Sequence, residues 1–119
     1  MAEVHLSVSA RNDIASILEW TDRKFGVQAR RRYASLITAA IKDAAHGFDD
    51  PRLVNRPELG EGVVTWHLAS SRFTTAGGRV NRPRHFLICR FDDEILIIVR
   101  MLHDAMDLGT RFDPGADWL

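Results

Sequence analysis

Cysteine, lysine, tyrosine and net charge are all scarce in this chain. The single cysteine, Cys89, has no internal disulfide partner, and its place in an apolar run makes it a buried thiol. Formal charge cancels, with 16 basic residues against 16 acidic ones. Proteins that live on nucleic acid are usually basic, because neutralised phosphates supply most of their affinity. The balance argues against direct nucleic-acid binding as the main task, though it leaves room for a local basic patch. No apolar run approaches the ~20 residues that cross a bilayer. The opening MAEVHLSV has neither the basic stretch nor the apolar core of an export signal, so the expected compartment is the cytoplasm. P-loop, HExxH, Rossmann-glycine and CxxC patterns are all missing. His67 and His85 fall on adjacent expected strands, but zinc would ask for further soft ligands while Cys89 faces the core. Neither a metal nor a cofactor is expected.

What is present suits one α+β domain over residues 1–119. Hydrophobic residues make up 45% of the chain, enough for a core without disulfide support. All basic residues except Lys24 and Lys42 are arginines. The guanidinium fork pairs with carboxylates and stacks on aromatic rings, which suits protein interfaces, and GC-rich coding would leave the same bias.

Val4 to Val8 alternates like a half-buried strand. Ser9 can cap a first helix, with Asn12 and Asp13 in its first turn and Ile14, Ile17, Leu18, Thr21 and Phe25 on its apolar face. Gly26 ends that helix. A second begins near Val27, and Tyr33, Leu36, Ile37, Ala40, Ile41 and Ala44 form its stripe. The short gap predicts an antiparallel helical hairpin. Phe48 to Gly62 reads as loop. Strands follow over Val63–Ser70, Phe86–Phe91 and Ile95–Leu102, the last two joined by a turn at Asp92-Asp93. The last strand is apolar on both faces except for Arg100, as a central strand is. The expected order is β-α-α-β-β-β, with the hairpin packed on one face of a mainly antiparallel sheet. One helical pair leaves the far face poorly covered, and such a surface invites association.

Several residues stand out against this frame. Between Ser70 and His85 lie Arg72, Arg79, Arg82 and Arg84 and no acid. They suit an acidic partner segment or a phosphate backbone. Arg30, Arg31 and Arg32 read as a solvated helix face. Trp66 is either an interface anchor or core, and Trp118 is a second anchor candidate. His103 and Asp104 close the last strand, three residues after Arg100. There His103 either works as a general acid–base or bonds a nearby carbonyl or Asp107 to fix the turn. Met106 reads as a packing residue, and Asp107 as the cap of a short turn.

The chain resembles the ParE-type toxins of the RelE/ParE superfamily along nearly its whole length. The resemblance rests on Ser9-Ala10, Asp13-Ile14-Ala15, Ile17, Trp20, Phe25-Gly26, Ala29, Tyr33 and Leu36-Ile37. It continues in Pro83-Arg84-His85-Phe86, Arg90 and the run Ile98 to Asp107, within which Arg100, Leu102, His103, Met106 and Asp107 form a specific motif. It implies a toxin of a bacterial toxin–antitoxin module that inhibits DNA gyrase by protein binding. Its partner would be a ParD-like ribbon-helix-helix antitoxin whose disordered arm folds on the toxin. On this reading the antitoxin meets Arg72, Arg79, Arg82, Arg84 and Trp66, while His103, Asp104, Met106 and Asp107 meet the target. A RelE-like ribosome-dependent mRNA endonuclease is the alternative, with Arg84, Arg100 and His103 as its partial catalytic set. Against it stand a second strand without lysine, a lone tyrosine in a helix and an acidic tail. An inactive binding relative is a third possibility.

Overall fold

Ser7, not Ser9, starts the first helix. Its hydroxyl accepts from the Ala10 amide at 2.9 Å and donates to the Val99 carbonyl at 2.6 Å. One side chain thus caps the helix and pins it to the sheet. The first strand is correspondingly shorter, and Val8 becomes an exposed helical residue. The computed structural model describes residues 1–106. In chain order these form β1 (Glu3–Leu6), α1 (Val8–Phe25), α2 (Val27–Ala45), β2 (Val54–Asn55), β3 (Val63–His67), β4 (His85–Asp92) and β5 (Ile95–His103). The sheet order is β1-β5-β4-β3-β2, with only β1–β5 parallel. This is the expected α+β architecture. The central place of β5 explains its two apolar faces.

Gly26 joins the helices at a φ of 91°, where a side chain would be strained, so the chain reverses there within one residue. The hairpin lays Leu36, Ile37, Ala40 and Ala44 on Val64, Trp66, Leu87, Cys89, Leu96, Ile98 and Met101. Cys89 is fully buried, and burial alone pushes its thiol up to about 12.

Local chemistry moved two expected boundaries. The loop after α2 contains β2 and a 3-10 turn at Pro57–Leu59, so the sheet gains a fifth strand. β3 stops at His67, because the His67 ring accepts from the Ala69 amide at 3.0 Å and starts a second 3-10 turn, Leu68–Ser71. The far face of the sheet also differs from expectation. Leu59, from the first 3-10 turn, joins Val63, Phe86, Ile88, Val99 and Leu102 in a second buried cluster, so this face is not an open apolar surface.

Residues 72–84 form neither strand nor helix. Instead they pack on α2. A Cβ on Gly77 would collide with the Ser35 side chain, so only glycine fits there. This contact carries the following arginines back toward the end of the sheet.

Candidate functional site

β4 begins where β5 ends, and His85 pairs with His103. The hairpin and the returning 79–84 segment flank this end of the sheet. They enclose a groove of about 540 Å³. α1 supplies Trp20, Thr21 and Phe25, and α2 supplies Ala29, Arg32 and Tyr33. The segment supplies Arg79, Val80, Asn81, Arg82 and Arg84, and the sheet supplies His85 and His103. No carboxylate among the described residues lines it. Trp20 is 48% exposed and Phe25 66%, edge to face at 5.7 Å, so the groove has an apolar lip.

The polar groups at the sheet end are linked. The Tyr33 hydroxyl and His85 Nδ1 lie 2.6 Å apart. Burial pushes the Tyr33 phenol up to about 12, so it keeps its proton. Burial, followed by the neighbouring His103, holds His85 down at about 4. The two histidine rings meet edge to face at 5.3 Å. Beside them, Asp104 accepts from Arg84 Nε at 3.0 Å and from His67 Nε2 at 3.0 Å. Partial burial opposes ionisation of Asp104, but those two bonds prevail and hold its carboxyl below the usual range.

The low value of His85 predicts acid sensitivity. The unfolded chain protonates this ring near 6.5, the folded one only near 4, so the unfolded state binds more protons between those values. Stability is then complete above about pH 6.5 and falls as pH drops toward 4. With allowance for solvent at the groove, the loss is about 2 kcal/mol. Denaturant melts at several pH values check this, with His85→Gln flattening that part of the curve while keeping a polar partner for the Tyr33 hydroxyl.

Of the residues singled out in the sequence, Arg79, Arg82, Arg84 and His103 meet in this groove. Arg72 does not; it lies over the Phe73 ring at 5.0 Å. Trp66 has no surface to offer a partner. It is fully buried, with its indole N–H on Ser71 Oγ at 2.9 Å, which removes it from the antitoxin-binding set. Met106 is 41% exposed, so it is not a packing residue. Asp107 and Trp118 lie outside the described residues.

Arg100 is bound elsewhere. Its Nε and Nη2 reach both Asp13 oxygens at 2.7 and 3.0 Å, and Asp13 also accepts from the Met101 amide at 3.0 Å. The motif arginine thus fastens α1 to β5, and it does not line the groove that holds Arg84 and His103. Asp13→Ala would take this carboxylate away from a mostly buried guanidinium and from a strand amide. It is expected to cost about 3 kcal/mol by urea denaturation.

Three contributors escaped the sequence reading. Phe25 counted as core, Arg32 as part of a solvated face and Tyr33 as one member of an apolar stripe. The available signal was Trp20, a large aromatic off the apolar spacing of α1. Among the described residues, no group of three or more His, Cys, Asp or Glu side chains could hold a metal ion, and no helix is long and apolar enough to cross a membrane.

Two helices on a five-stranded, mostly antiparallel sheet make up a ParE-like fold. A solved structure described as the chromosomal ParDE TA system from P. aeruginosa shares that fold. Its TM-score is 0.53 at 17% identity, covering 87% of this chain and 96% of that one. No curated protein sequence matches. The family model described as "ParE toxin of type II toxin-antitoxin system, parDE" matches residues 4–108. The chain belongs to this family of ParE toxins.

Proposed function

We propose that the protein is a cytoplasmic toxin that inhibits DNA gyrase by protein–protein contact and is silenced by a ParD-like ribbon-helix-helix antitoxin lying in the groove. The observation that carries the antitoxin part is the lining of the groove. Arg32, Arg79 and Arg82 face exposed Trp20 and Phe25, and no carboxylate among the described residues lines the groove; Arg84 lines it too but is paired with Asp104. A segment that alternates apolar and acidic residues satisfies both features at once. His103 lines this groove and a second one beside Met106, and Asp104 is tied to Arg84. An arm in the groove would therefore cover part of the proposed target surface. Expression of the chain alone should arrest growth and leave plasmid DNA relaxed, and co-expression of the neighbouring antitoxin gene should restore both. Growth arrest with normally supercoiled plasmid would remove gyrase as the target.

The nuclease alternative draws on Arg84, His103 and the Tyr33 hydroxyl sharing one groove. Three observations favour the inhibitor. Arg100 is occupied by Asp13, the Tyr33 hydroxyl is held against His85, and Arg84 is paired with Asp104.

A further inference from the structure

A second groove adjoins the first. Ser16, Ile17, Trp20 and Arg23 of α1 line it together with Ala105 and Met106, and it shares Trp20, His85 and His103 with its neighbour. No carboxylate among the described residues lines either groove. Arg32, Arg79 and Arg82 make no ion pair among the described residues, and Arg23 has Glu19 at 4.0 Å. Trp20, Phe25 and Met106 are exposed beside them. The joined surface thus offers positive charge and uncovered apolar groups together. The chain passes out of the described residues at this same place. The Asp104 amide donates to the Arg84 carbonyl at 2.7 Å and the Met106 amide to the His103 carbonyl at 3.1 Å, so the turn after β5 delivers Met106 to the groove. Residues 107–119 follow as DLGTRFDPGADWL. They set Asp107, Asp113 and Asp117 against Arg111 alone, and add Leu108, Phe112, Trp118 and Leu119. That is the acidic and apolar chemistry the two grooves call for. Most of the segment lies beyond the family match, which ends at residue 108.

We propose that residues 107–119 dock in the joined grooves of their own chain, apolar side chains on Trp20 and Phe25 and carboxylates towards Arg79 and Arg82, so that the antitoxin arm must displace them. The displacement rests on the reading of the groove as the antitoxin site, whereas the docking rests on the lining alone. Reach sets no bar, because this segment spans up to ~40 Å when extended and the groove begins at Met106 itself. Tethering favours this occupant over a separate one. A segment joined to its site meets it at an effective concentration on the order of millimolar, so weak contacts suffice to fill it. A segment seated about nine-tenths of the time lowers the apparent affinity of a competitor about tenfold. Part of the attraction is between exposed charges, so salt loosens it.

The test uses the isotope-labelled full chain and two double variants, Phe112→Ser with Trp118→Ser and Asp113→Arg with Asp117→Arg. Both should move the Trp20 indole N–H resonance and the Arg79 and Arg82 amide resonances equally at every protein concentration. The amides of Val54 and Asn55, at the opposite edge of the sheet from β1, should stay in place. High salt should move the wild-type groove resonances the same way. An amphipathic peptide of leucine and glutamate should bind both variants about tenfold tighter than the wild type. Groove resonances that ignore both variants, with equal peptide affinity for all three chains, would overturn the docking and leave the groove reading standing. Movement that grows with protein concentration would also overturn it, since a second copy would then supply the segment. Groove resonances that respond to the variants while the peptide perturbs only other surfaces would uphold the docking and overturn the groove as antitoxin site.

Discussion

Replacing Arg79, Arg82 and Arg84 together by glutamate is expected to weaken the antitoxin complex at least ~100-fold, about 3 kcal/mol. All three line one groove whose described lining holds no acid, with only Arg84 paired to a carboxylate, Asp104, so an acidic segment would meet repulsion where it had met attraction. Wild-type affinity should fall steeply with salt, and the variant should lose that dependence. Arg72→Glu is the control. It sits outside the groove against Phe73, and its effect should stay within a few-fold. Isothermal titration at two salt concentrations measures both. Equal affinity for the triple variant and the wild type would show that the arm lies elsewhere.

Trp66→Ala is expected to cost about 4 kcal/mol, a large share of the ~5–15 kcal/mol that holds a domain of this size together. The side chain is fully buried among Leu36, Leu68 and Leu87, with the Arg52 guanidinium 4.6 Å above its ring. Its indole N–H also opens a polar chain. Ser71 Oγ accepts it and donates to Asp43 Oδ2 at 2.7 Å, and Thr74 Oγ1 meets the same oxygen at 2.7 Å. Truncation therefore leaves a cavity and loosens the tie between α2 and the 3-10 turn after β3. Trp66→Phe keeps most of the volume and should cost about 2 kcal/mol, near the effect of Ser71→Ala. Denaturant melts separate the three. A Trp66→Ala protein as stable as wild type would contradict this account of the core.

The helices, the central place of β5 and the burial of Cys89 were legible because each follows from apolar period alone. The stripe from Tyr33 to Ala44 needs no knowledge of its partner. β2 was not legible: two residues cannot show a period, and their pairing with β3 is set by the neighbouring strand. The cap at Ser7 was missed because Ser9 fits the same local pattern. Only the sheet decides between them, through the Ile98 and Val99 carbonyls that Ser7 bonds. The arginine segment was visible as composition. Its opposite wall was not, since Trp20 and Phe25 approach Arg79 and Arg82 only after two chain reversals. Arg100 teaches the same lesson in reverse. A residue inside the most specific motif turns out to hold α1 on β5 through Asp13, 87 residues away in the chain.

Under the proposed function this toxin works by binding and not by cutting. The most direct measurement gives one preparation of the isolated chain to purified gyrase with relaxed plasmid and to ribosomes translating a defined mRNA. Loss of supercoiling with intact message is the predicted result. Cleaved message with unchanged supercoiling would contradict it and return Arg84, His103 and Tyr33 to consideration as a catalytic set.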